Sequence, residues 1–470
     1  MSLKPLWTNF KYHDHQIEGI NWMLTKERVG TSCLTSDAKE TITVYGGMQC
    51  DEMGLGKTIQ MTGTMKNNIK RRNLLLAPLA MIETWQDNMV KSGFIVVLME
   101  GRAWKLPSSF DPRKSYVYIT NYDKLIHAPT AILGATWDRV ILDESHKIRN
   151  PDGVISCAAR KIIAPLRWTM TGTPLVNRQK DIVSQLAFLG VPVRGYLWEK
   201  RFEVLIPQIM IHRSLEELRA VLSTAPPLPI IEEIVLDFKS DAEKAFYRLI
   251  QGDIHQHLQK RYARDIMSAQ DKLVLITRLR QISVHPQVYI QAKRREDEEY
   301  IRADWTGTAT KLDALCDLIR SEKGASHKYL VFCQFHDEME LIRVKLLEGA
   351  IVSRVEMYHG GMTMAQRSIV LASAKENSCD VLLIQLHSGG VGLNLQEFDR
   401  CIFMSPWWTS ALMEQAIARS VRMGQKRVVR VVHFKVGEEK TMNIDRLISG
   451  KAGIKKAALD NIFALVSKKV

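Results

Sequence analysis

The chain has 470 residues, 46% of them hydrophobic, so it is long enough for two or three domains with separate cores. Its formal net charge of +14 favours a polyanionic partner such as nucleic acid, although a basic surface also serves solubility. Seven cysteines without Cys-x-x-Cys spacing argue against structural zinc, and the lack of a long apolar run argues against a membrane span. We therefore expect an intracellular protein in a reducing compartment, with no membrane partner.

The first predicted strands alternate with helical patterns. Apolar runs at 73–77, 117–120, 139–142 and 167–171 are separated by stretches of helical periodicity. This alternation predicts a parallel sheet covered by helices, and hence an α/β fold. Ligands of such sheets gather beyond the carboxyl ends of the strands, so functional side chains are expected there.

A glycine-rich segment, DEMGLGKT from Asp51 to Thr58, has the form of a phosphate-binding loop. Its backbone N–H groups would cradle phosphates at a helix start, where Gly54 and Gly56 permit a close approach. Lys57 would meet the outer phosphates of ATP, and Thr58 would ligate Mg²⁺. The strict pattern has glycine five residues before Gly56, where this chain has Asp51. On its own, so short a motif also occurs in unrelated turns.

An acidic pair follows the apolar run at 139–142, which is typical of a buried parallel strand. At that position Asp143 suits coordination of Mg²⁺, and Glu144 suits positioning of the attacking water. The alternative is an ordinary turn or helix cap, a common role for acidic residues after a strand. The phosphate loop earlier in the chain favours the nucleotide-binding interpretation.

The middle of the chain, from about 190 to 305, becomes helical and basic around a proline-rich break at 226–229. A second series of strands then predicts a comparable second lobe, with apolar runs at 329–334, 354–358, 380–386, 400–404 and 428–434. We expect three parts: an N-terminal ATP-binding lobe at 1–236, a helical insertion at 237–305, and a C-terminal lobe with a helical tail at 306–470; the helical stretch from about 190 corresponds to a first protrusion under the family resemblance described below.

Two arginines near the end of the second lobe, Arg419 and Arg422, are three residues apart. On a helix they would share one face, so both guanidinium groups could approach a γ-phosphate and stabilise a phosphoryl-transfer transition state. Two arginines on a helix are more often a solvated basic face. The flanking Gln415, Gly424 and Gln425 favour the catalytic role.

Taken in order, these segments resemble the Swi/Snf family of ATPases, the double-stranded-DNA translocases within helicase superfamily two, over nearly the whole chain. The resemblance rests on HQIEGINWM, DEMGLGKT, LLLAPLAMIETW, DESHKIRN, MTGTP, LRQISVHP, YLVFCQF and QAIARSVRMGQ. WDRVILDESHKIRN and TRLRQISVHP are most similar to the helicase-like-transcription-factor branch, in a compact form similar to those of large DNA viruses or phages. The resemblance implies two RecA-like lobes with Swi/Snf-type helical protrusions, use of ATP with Mg²⁺, and a monomer acting on double-stranded DNA.

The resemblance also implies roles for individual residues. Gln16 would recognise adenine through its amide, although by itself it reads as an ordinary surface glutamine. Arg419 and Arg422 correspond to arginine fingers. The groove that tracks a DNA strand would be lined from both lobes, by Pro78, Thr120, Asn121, Ser388, Gly389 and Gly390. Trp407 either abuts a nucleotide or packs in the core.

These expectations describe a DNA-dependent ATPase that moves along duplex DNA and remodels DNA or protein–DNA complexes, with nucleosomes or other DNA-bound proteins as further partners. A strand-separating DNA or RNA helicase is the alternative within the motor class. A nucleotide-switched DNA clamp without useful turnover is the alternative from another class. The expected location is the nucleus or another site of DNA transactions, in a host cell if the chain is viral.

Overall fold

The structure is a computed structural model of the chain. It describes residues 3–34, 41–99, 111, 113–127, 132–175, 180–193, 198–219, 225–262, 269–324, 326–376, 379–386, 393–422, 424–437 and 443–467. The chain divides into two compact units, the first comprising Met1–Ala225 with Ile454–Val470 and the second comprising Pro226–Gly453.

Eight strands form the central sheet of the first unit: β1 (Thr31–Leu34), β2 (Thr41–Gln49), β3 (Arg72–Leu76), β4 (Ile95–Leu98), β5 (Tyr116–Thr120), β6 (Arg139–Asp143), β7 (Leu166–Met170) and β8 (Met210–Ile211). Their order is β1-β2-β7-β6-β3-β5-β4, with β8 beside β2. Among the described strand pairs, only β1 and β2 are antiparallel. The predicted α/β sheet is confirmed, and the four expected strands are β3, β5, β6 and β7.

Both faces of this sheet are buried, because consecutive side chains of its inner strands enter different core clusters. In β3, Leu74 and Leu76 pack in one cluster, whereas Leu75 packs in the other. The described helices of this part of the chain are, in order, α1 (Asp14–Arg28), α2 (Lys57–Asn67), α3 (Ile82–Lys91), α4 (Lys124–His127), α5 (Val154–Lys161), α6 (Lys180–Leu189), α7 (Trp198–Ile209) and α8 (Leu215–Arg219). This two-sided burial explains why the strands read as continuous apolar runs.

A buried ion pair fixes α1 to the sheet. Arg139 of β6 donates to Glu27 of α1 at 2.6 Å, and neither side chain is exposed. Trp168 of β7 donates its indole N–H to the same carboxylate at 2.9 Å. Removing one partner of such a pair typically costs about 3–5 kcal/mol, because the other charge is left buried. The pair therefore holds in place the helix that carries Gln16.

The second unit has its own parallel sheet of six strands: β9 (Ile230–Leu236), β10 (Tyr329–Cys333), β11 (Val355–Tyr358), β12 (Val381–Gln385), β13 (Arg400–Phe403) and β14 (Arg430–Val436). Their order is β11-β12-β10-β13-β14-β9. The remaining helices are α9 (Asp241–Tyr262), α10 (Ala269–Val284), α11 (Pro286–Glu296), α12 (Thr310–Ser321), α13 (His336–Glu348), α14 (Met364–Lys375), α15 (Ser410–Ile417) and α16 (Ile444–Ser467). Within the described residues, no helix is long and apolar enough to cross a membrane.

One strand lies in a different sheet from the one suggested by the sequence-based boundary. That boundary, after residue 236, assigns β9 to the N-terminal lobe. In the structure β9 pairs in parallel with β14 of the second sheet. Two ion pairs support this register, Glu232 with Arg430 at 2.8 Å and Glu233 with Lys435 at 2.6 Å. The second unit accordingly begins before β9.

Candidate functional site

The carboxyl edge of the first sheet brings together segments that are far apart in the sequence. Met170, at the end of β7, is opposite both Gln49 at the end of β2 and Asp143 at the end of β6. The phosphate loop follows β2, the acidic pair ends β6, and Thr171 follows β7. The structure therefore collects the predicted nucleotide-binding elements of this unit at the edge where a parallel sheet places its ligands.

The phosphate loop has a backbone that only glycine adopts without strain at two positions. Gly54 and Gly56 have φ of 91° and 76°, and Lys57 is the first residue of α2, with Thr58 in its first turn. The Lys57 ammonium donates to the main-chain oxygen of Asp51 at 2.8 Å. A helix start with free N–H groups beside a lysine is well suited to an anion. The loop could therefore accept phosphate groups without rebuilding its backbone.

Gln16 lies directly against this loop. A Cβ added at Gly56 would come within 2.6 Å of the Gln16 side-chain nitrogen, so any larger residue would displace the amide. The Gln16 side-chain oxygen accepts the main-chain N–H of His13 at 3.2 Å. Gln16 is only 7% exposed, so the alternative of an ordinary surface glutamine is wrong. Its contact with adenine stays a prediction.

Asp51 has a structural partner that the sequence motif does not reveal. Its buried carboxylate receives Nε of Arg213 at 3.1 Å and Nη2 at 2.5 Å, together with the side-chain amide of Gln60 at 2.9 Å. Arg213 also donates to the main-chain oxygen of His15, in the helix that carries Gln16. The acid at the usual glycine position therefore ties together the loop, α1, α2 and the chain after β8. A buried acid replacing glycine is itself a signal that a cation must be nearby.

The acidic pair at the end of β6 is buried and under constraint. Trp85 donates its indole N–H to Oδ2 of Asp143 at 2.7 Å, and the main-chain N–H of Glu144 donates to Oδ1 at 3.0 Å. Burial, followed by the Glu144 charge, raises the pKa of Asp143 to about 6. The backbone of Glu144 is left-handed, with φ of 49° and ψ of 51°, which is uncommon for a residue with a side chain. Such strain is concentrated at functional sites.

The Glu144 carboxylate faces two polar neighbours. Its Oε2 atom lies 3.2 Å from Nδ1 of His146 and accepts the Thr171 hydroxyl at 3.4 Å. A Cβ added at Gly172 would lie 3.5 Å from Nζ of Lys57, so the Thr171–Gly172 segment also borders the phosphate loop. This arrangement can orient a water molecule near phosphates, which is the role predicted for Glu144.

The donor set fits Mg²⁺. Asp143 supplies carboxylate oxygens and Thr58 a hydroxyl, and oxygen ligands with retained water are what Mg²⁺ prefers. Burial and the neighbouring Glu144 charge raise the pKa of Asp143, and both are effects that a bound divalent cation would oppose. Among the described residues, no three His, Cys, Asp or Glu side chains form a metal-binding group, so the two predicted ligands would need phosphate and water oxygens to complete the shell.

Two of the segments predicted to contact DNA adjoin each other at the same edge. Ala77 donates its N–H to the main-chain oxygen of Thr120 at 2.9 Å, which places Pro78 beside Asn121. Thr120 is buried and Asn121 caps the following turn by accepting the N–H of Lys124 at 3.2 Å. The other predicted contacts, Ser388, Gly389 and Gly390, lie outside the described residues.

The predicted helical face of Arg419 and Arg422 is wrong, because α15 ends at Ile417 before it reaches either residue. Both lie in consecutive turns, in which Arg419 donates its N–H to Ala416 and the Arg422 oxygen accepts the N–H of Gln425. The Arg419 oxygen accepts the N–H of Leu395 at 3.1 Å, a contact with a distant segment of the chain. Burial lowers the pKa of Arg422 from its usual value. Their catalytic role stays a prediction.

Trp407 packs in the interior of the second unit, as its core alternative required. Its side chain is 7% exposed, and the guanidinium of Arg280 lies over its ring at 4.4 Å. The same guanidinium lies 5.9 Å from the ring of Trp408. Arg280 covers one face of this buried ring, so the position fits the core alternative better than a contact of Trp407 with DNA.

Comparison with known proteins assigns two domain families to the chain: the SNF2-related domain over residues 15–288 and the helicase conserved C-terminal domain over residues 310–424. A probable global transactivator of Orgyia pseudotsugata multicapsid polyhedrosis virus is 28% identical over 96% of this chain and 91% of its own length. A putative ATP-dependent helicase/translocase of Bacillus subtilis is 26% identical over 89% of this chain. The chain spans 45% of that bacterial relative. A solved Sulfolobus solfataricus SWI2/SNF2 ATPase core in complex with dsDNA covers 98% of each chain at 18% identity, with a TM-score of 0.41.

Proposed function

Since the chain belongs to the SNF2-related family of superfamily-two ATPases, we propose that it hydrolyses ATP to translocate along double-stranded DNA. The observation that carries the proposal is the convergence of three segments at one sheet edge, namely the phosphate loop, the acidic pair and Thr171–Gly172. Each supplies a different part of phosphoryl transfer: a grip on phosphates, a metal ligand with a water-positioning acid, and a polar link between them.

The steps of hydrolysis are assigned to residues of this chain. Lys57 binds the outer phosphates and exchanges its main-chain contacts for them. Glu144 orients the attacking water, and the Thr171 hydroxyl holds the Glu144 carboxylate by a hydrogen bond. Asp143 and Thr58 would hold Mg²⁺, which supplies positive charge to the phosphates when bound. Gln16 contacts adenine in this scheme. Arg419 and Arg422 stabilise the charge on the transferred phosphoryl group.

Duplex DNA is proposed as the track, and the grip on it is assigned to the backbone segments that contain Pro78, Thr120 and Asn121, together with the Ser388–Gly390 segment; the side chains of Pro78 and Thr120 are themselves buried. The net charge of +14 supports a polyanionic partner. The viral relative is named a probable global transactivator, which is consistent with action on DNA. Nucleosomes or other DNA-bound proteins are proposed as the obstacles that such a motor would move. The proposed location is the nucleus or another site of DNA transactions.

The proposal is tested by comparing ATP turnover with duplex DNA, single-stranded DNA and RNA, each at several salt concentrations. We expect the largest stimulation with duplex DNA, and we expect it to fade with salt because phosphate contacts release counterions. Movement is then read from displacement of a triplex-forming strand from a duplex track, with Lys57→Ala as the inactive control. If RNA stimulated ATP turnover as much as duplex DNA does, the alternative of a strand-separating DNA or RNA helicase would be favoured. Hydrolysis without triplex displacement would favour a nucleotide-switched clamp instead.

A further inference from the structure

Two buried aromatic side chains hold Asp143 from different sides. Trp85, in the first turns of α3, donates its indole N–H to the carboxylate at 2.7 Å. Tyr122, just beyond β5, donates its hydroxyl to the main-chain oxygen of Asp143 at 2.6 Å. All three residues are buried, and hydrogen bonds to a charged group in such an interior are stronger than in water. Their combined effect is to fix both the carboxylate and the backbone that carries it.

Each aromatic residue belongs to a segment assigned to the DNA grip. Pro78 begins a 3₁₀ turn, Leu79–Met81, which passes directly into α3 because Ile82 donates its N–H to Leu79. Leu79 is 57% exposed, so this turn meets solvent while Trp85, one helical turn further on, reaches the metal ligand. On the neighbouring strand, Tyr122 follows Asn121 directly. Two short, continuous pieces of backbone thus connect the proposed DNA contacts to Asp143.

We propose that Trp85 and Tyr122 are positioning residues that transmit DNA contact to Asp143. The inference rests on the proposed function, because it takes Pro78 and Asn121 as DNA contacts. In this scheme both aromatic groups act through Asp143 rather than through contact with the nucleotide. The indole is rigid and fixed by packing, so a small displacement of α3 turns the Asp143 carboxylate rather than being absorbed by the side chain. Metal ligands depend on partners of this kind for their orientation.

The first unit contains a matched tryptophan for comparison. Trp137 is also fully buried, and it donates its indole N–H to a main-chain oxygen, that of Ile132, at 2.9 Å. Replacing either tryptophan with phenylalanine removes one donor and part of a buried ring. Only Trp85 delivers its hydrogen bond to a proposed metal ligand. A purely structural role predicts similar consequences for the two changes, whereas positioning predicts different ones.

The experiment measures how strongly nucleotide and DNA binding depend on each other. The affinity of a fluorescent duplex is determined with and without a nonhydrolysable ATP analogue and Mg²⁺, for the parent, Trp85→Phe and Trp137→Phe. The ratio of the two dissociation constants is the coupling factor, which linkage makes the same in both directions. We expect about 10-fold coupling in the parent and in Trp137→Phe, and less than about 2-fold in Trp85→Phe, against a common range of about 5- to 150-fold.

A folded Trp85→Phe protein with the parent coupling factor would overturn the inference. If Trp85→Phe loses its melting transition, Tyr122→Phe takes its place, since it removes only a hydroxyl. That variant should also lower the coupling factor, and an unchanged factor would count against transmission through Asp143. Failure of the proposed function is a separate result: a parent protein that binds no duplex, with or without nucleotide, would remove both. If the parent and the variant showed the same coupling factor between nucleotide and DNA binding, only this inference would be wrong.

Discussion

Restoring the usual glycine of the phosphate loop should damage this protein rather than improve it. Asp51→Gly produces the strict Gly-x-x-x-x-Gly-Lys-Thr pattern, which a motif rule would treat as neutral. In the structure, the Asp51 carboxylate is buried and accepts hydrogen bonds from Arg213 and Gln60. The substitution removes the carboxylate that neutralises a guanidinium in the interior. We therefore expect lower stability of the first unit and weaker nucleotide binding.

The size of the effect follows from burial. Breaking a buried ion pair by removing one partner costs about 3–5 kcal/mol. The Arg213 side chain is 13% exposed and lies 3.7 Å from the exposed carboxylate of Glu18, so water and a weak ion pair soften the loss. This places the expected cost near the lower end, about 3 kcal/mol. At a urea dependence of about 1–3 kcal/mol per molar, the unfolding midpoint would fall by about 1–3 M.

The assay is urea unfolding followed by circular dichroism, together with equilibrium binding of a fluorescent ATP analogue. Asp51→Gly, Arg213→Gln and the double variant complete a double-mutant cycle. Because the two side chains contact each other directly, the double variant should cost less than the sum of the single costs, by up to about 3 kcal/mol. Costs that add to within about 0.5 kcal/mol, or an Asp51→Gly protein with the parent midpoint, would refute the reasoning.

Three further predictions concern turnover and pH. Lys57→Ala should lose ATP binding, whereas Glu144→Gln should bind ATP but hydrolyse it very slowly; equilibrium binding with single-turnover kinetics checks this, and near-normal turnover in Glu144→Gln would contradict it. Arg419→Ala and Arg422→Ala should each lower turnover on the order of a thousandfold with ATP and DNA binding little changed. Lysine at either position should not restore activity in the same ATPase assay, because an ammonium lacks the planar fork of donors. Burial lowers the pKa of His285 to about 4 while its ring accepts the N–H of Gln287. The folded protein therefore favours the neutral imidazole, and the stability that this ring contributes is complete above pH 6.5 and is lost as the pH falls toward 4. Between pH 7 and 5 the loss is about 2 kcal/mol, and urea unfolding of His285→Asn, which keeps a capping acceptor, should show a smaller pH dependence than the parent.

The sequence predicted the local backbone structure of those parts of the candidate site whose signal is local. The glycine loop, the acidic pair and the strands before them are each defined within a few residues, because backbone conformation and strand burial act over that range. Gly54 and Gly56 have the positive φ that the loop requires, and Asp143 ends its strand where expected. The α/β class follows from the same alternation of buried runs and helical stretches.

What the sequence did not predict depends on partners far along the chain. Arg213 meets Asp51 across 162 positions, and nothing in its own surroundings marks it. The predicted helical face of Arg419 and Arg422 was wrong because the helix ends at Ile417, and the Arg419 oxygen instead accepts the N–H of the distant Leu395. Propensity and spacing describe a segment by itself, whereas these features arise when segments pack. The pairing of β9 is a similar case, because a strand-like sequence does not determine which strand it will pair with.

Glu144 shows why a functional site departs from local rules of stability. Its left-handed backbone costs on the order of 1–3 kcal/mol, and glycine would adopt the same conformation without that cost. The conformation persists because its surroundings fix it: Asp143 is tied by Trp85 and Tyr122 on one side, and the Glu144 carboxylate contacts Thr171 on the other. Stability alone would favour glycine at this position, and the acid is accounted for by the water-positioning role proposed for its carboxylate. The strained backbone of Glu144 and the buried carboxylate of Asp143, whose pKa is raised by burial, occur at adjacent residues, and replacing them would remove groups that the proposed hydrolysis requires.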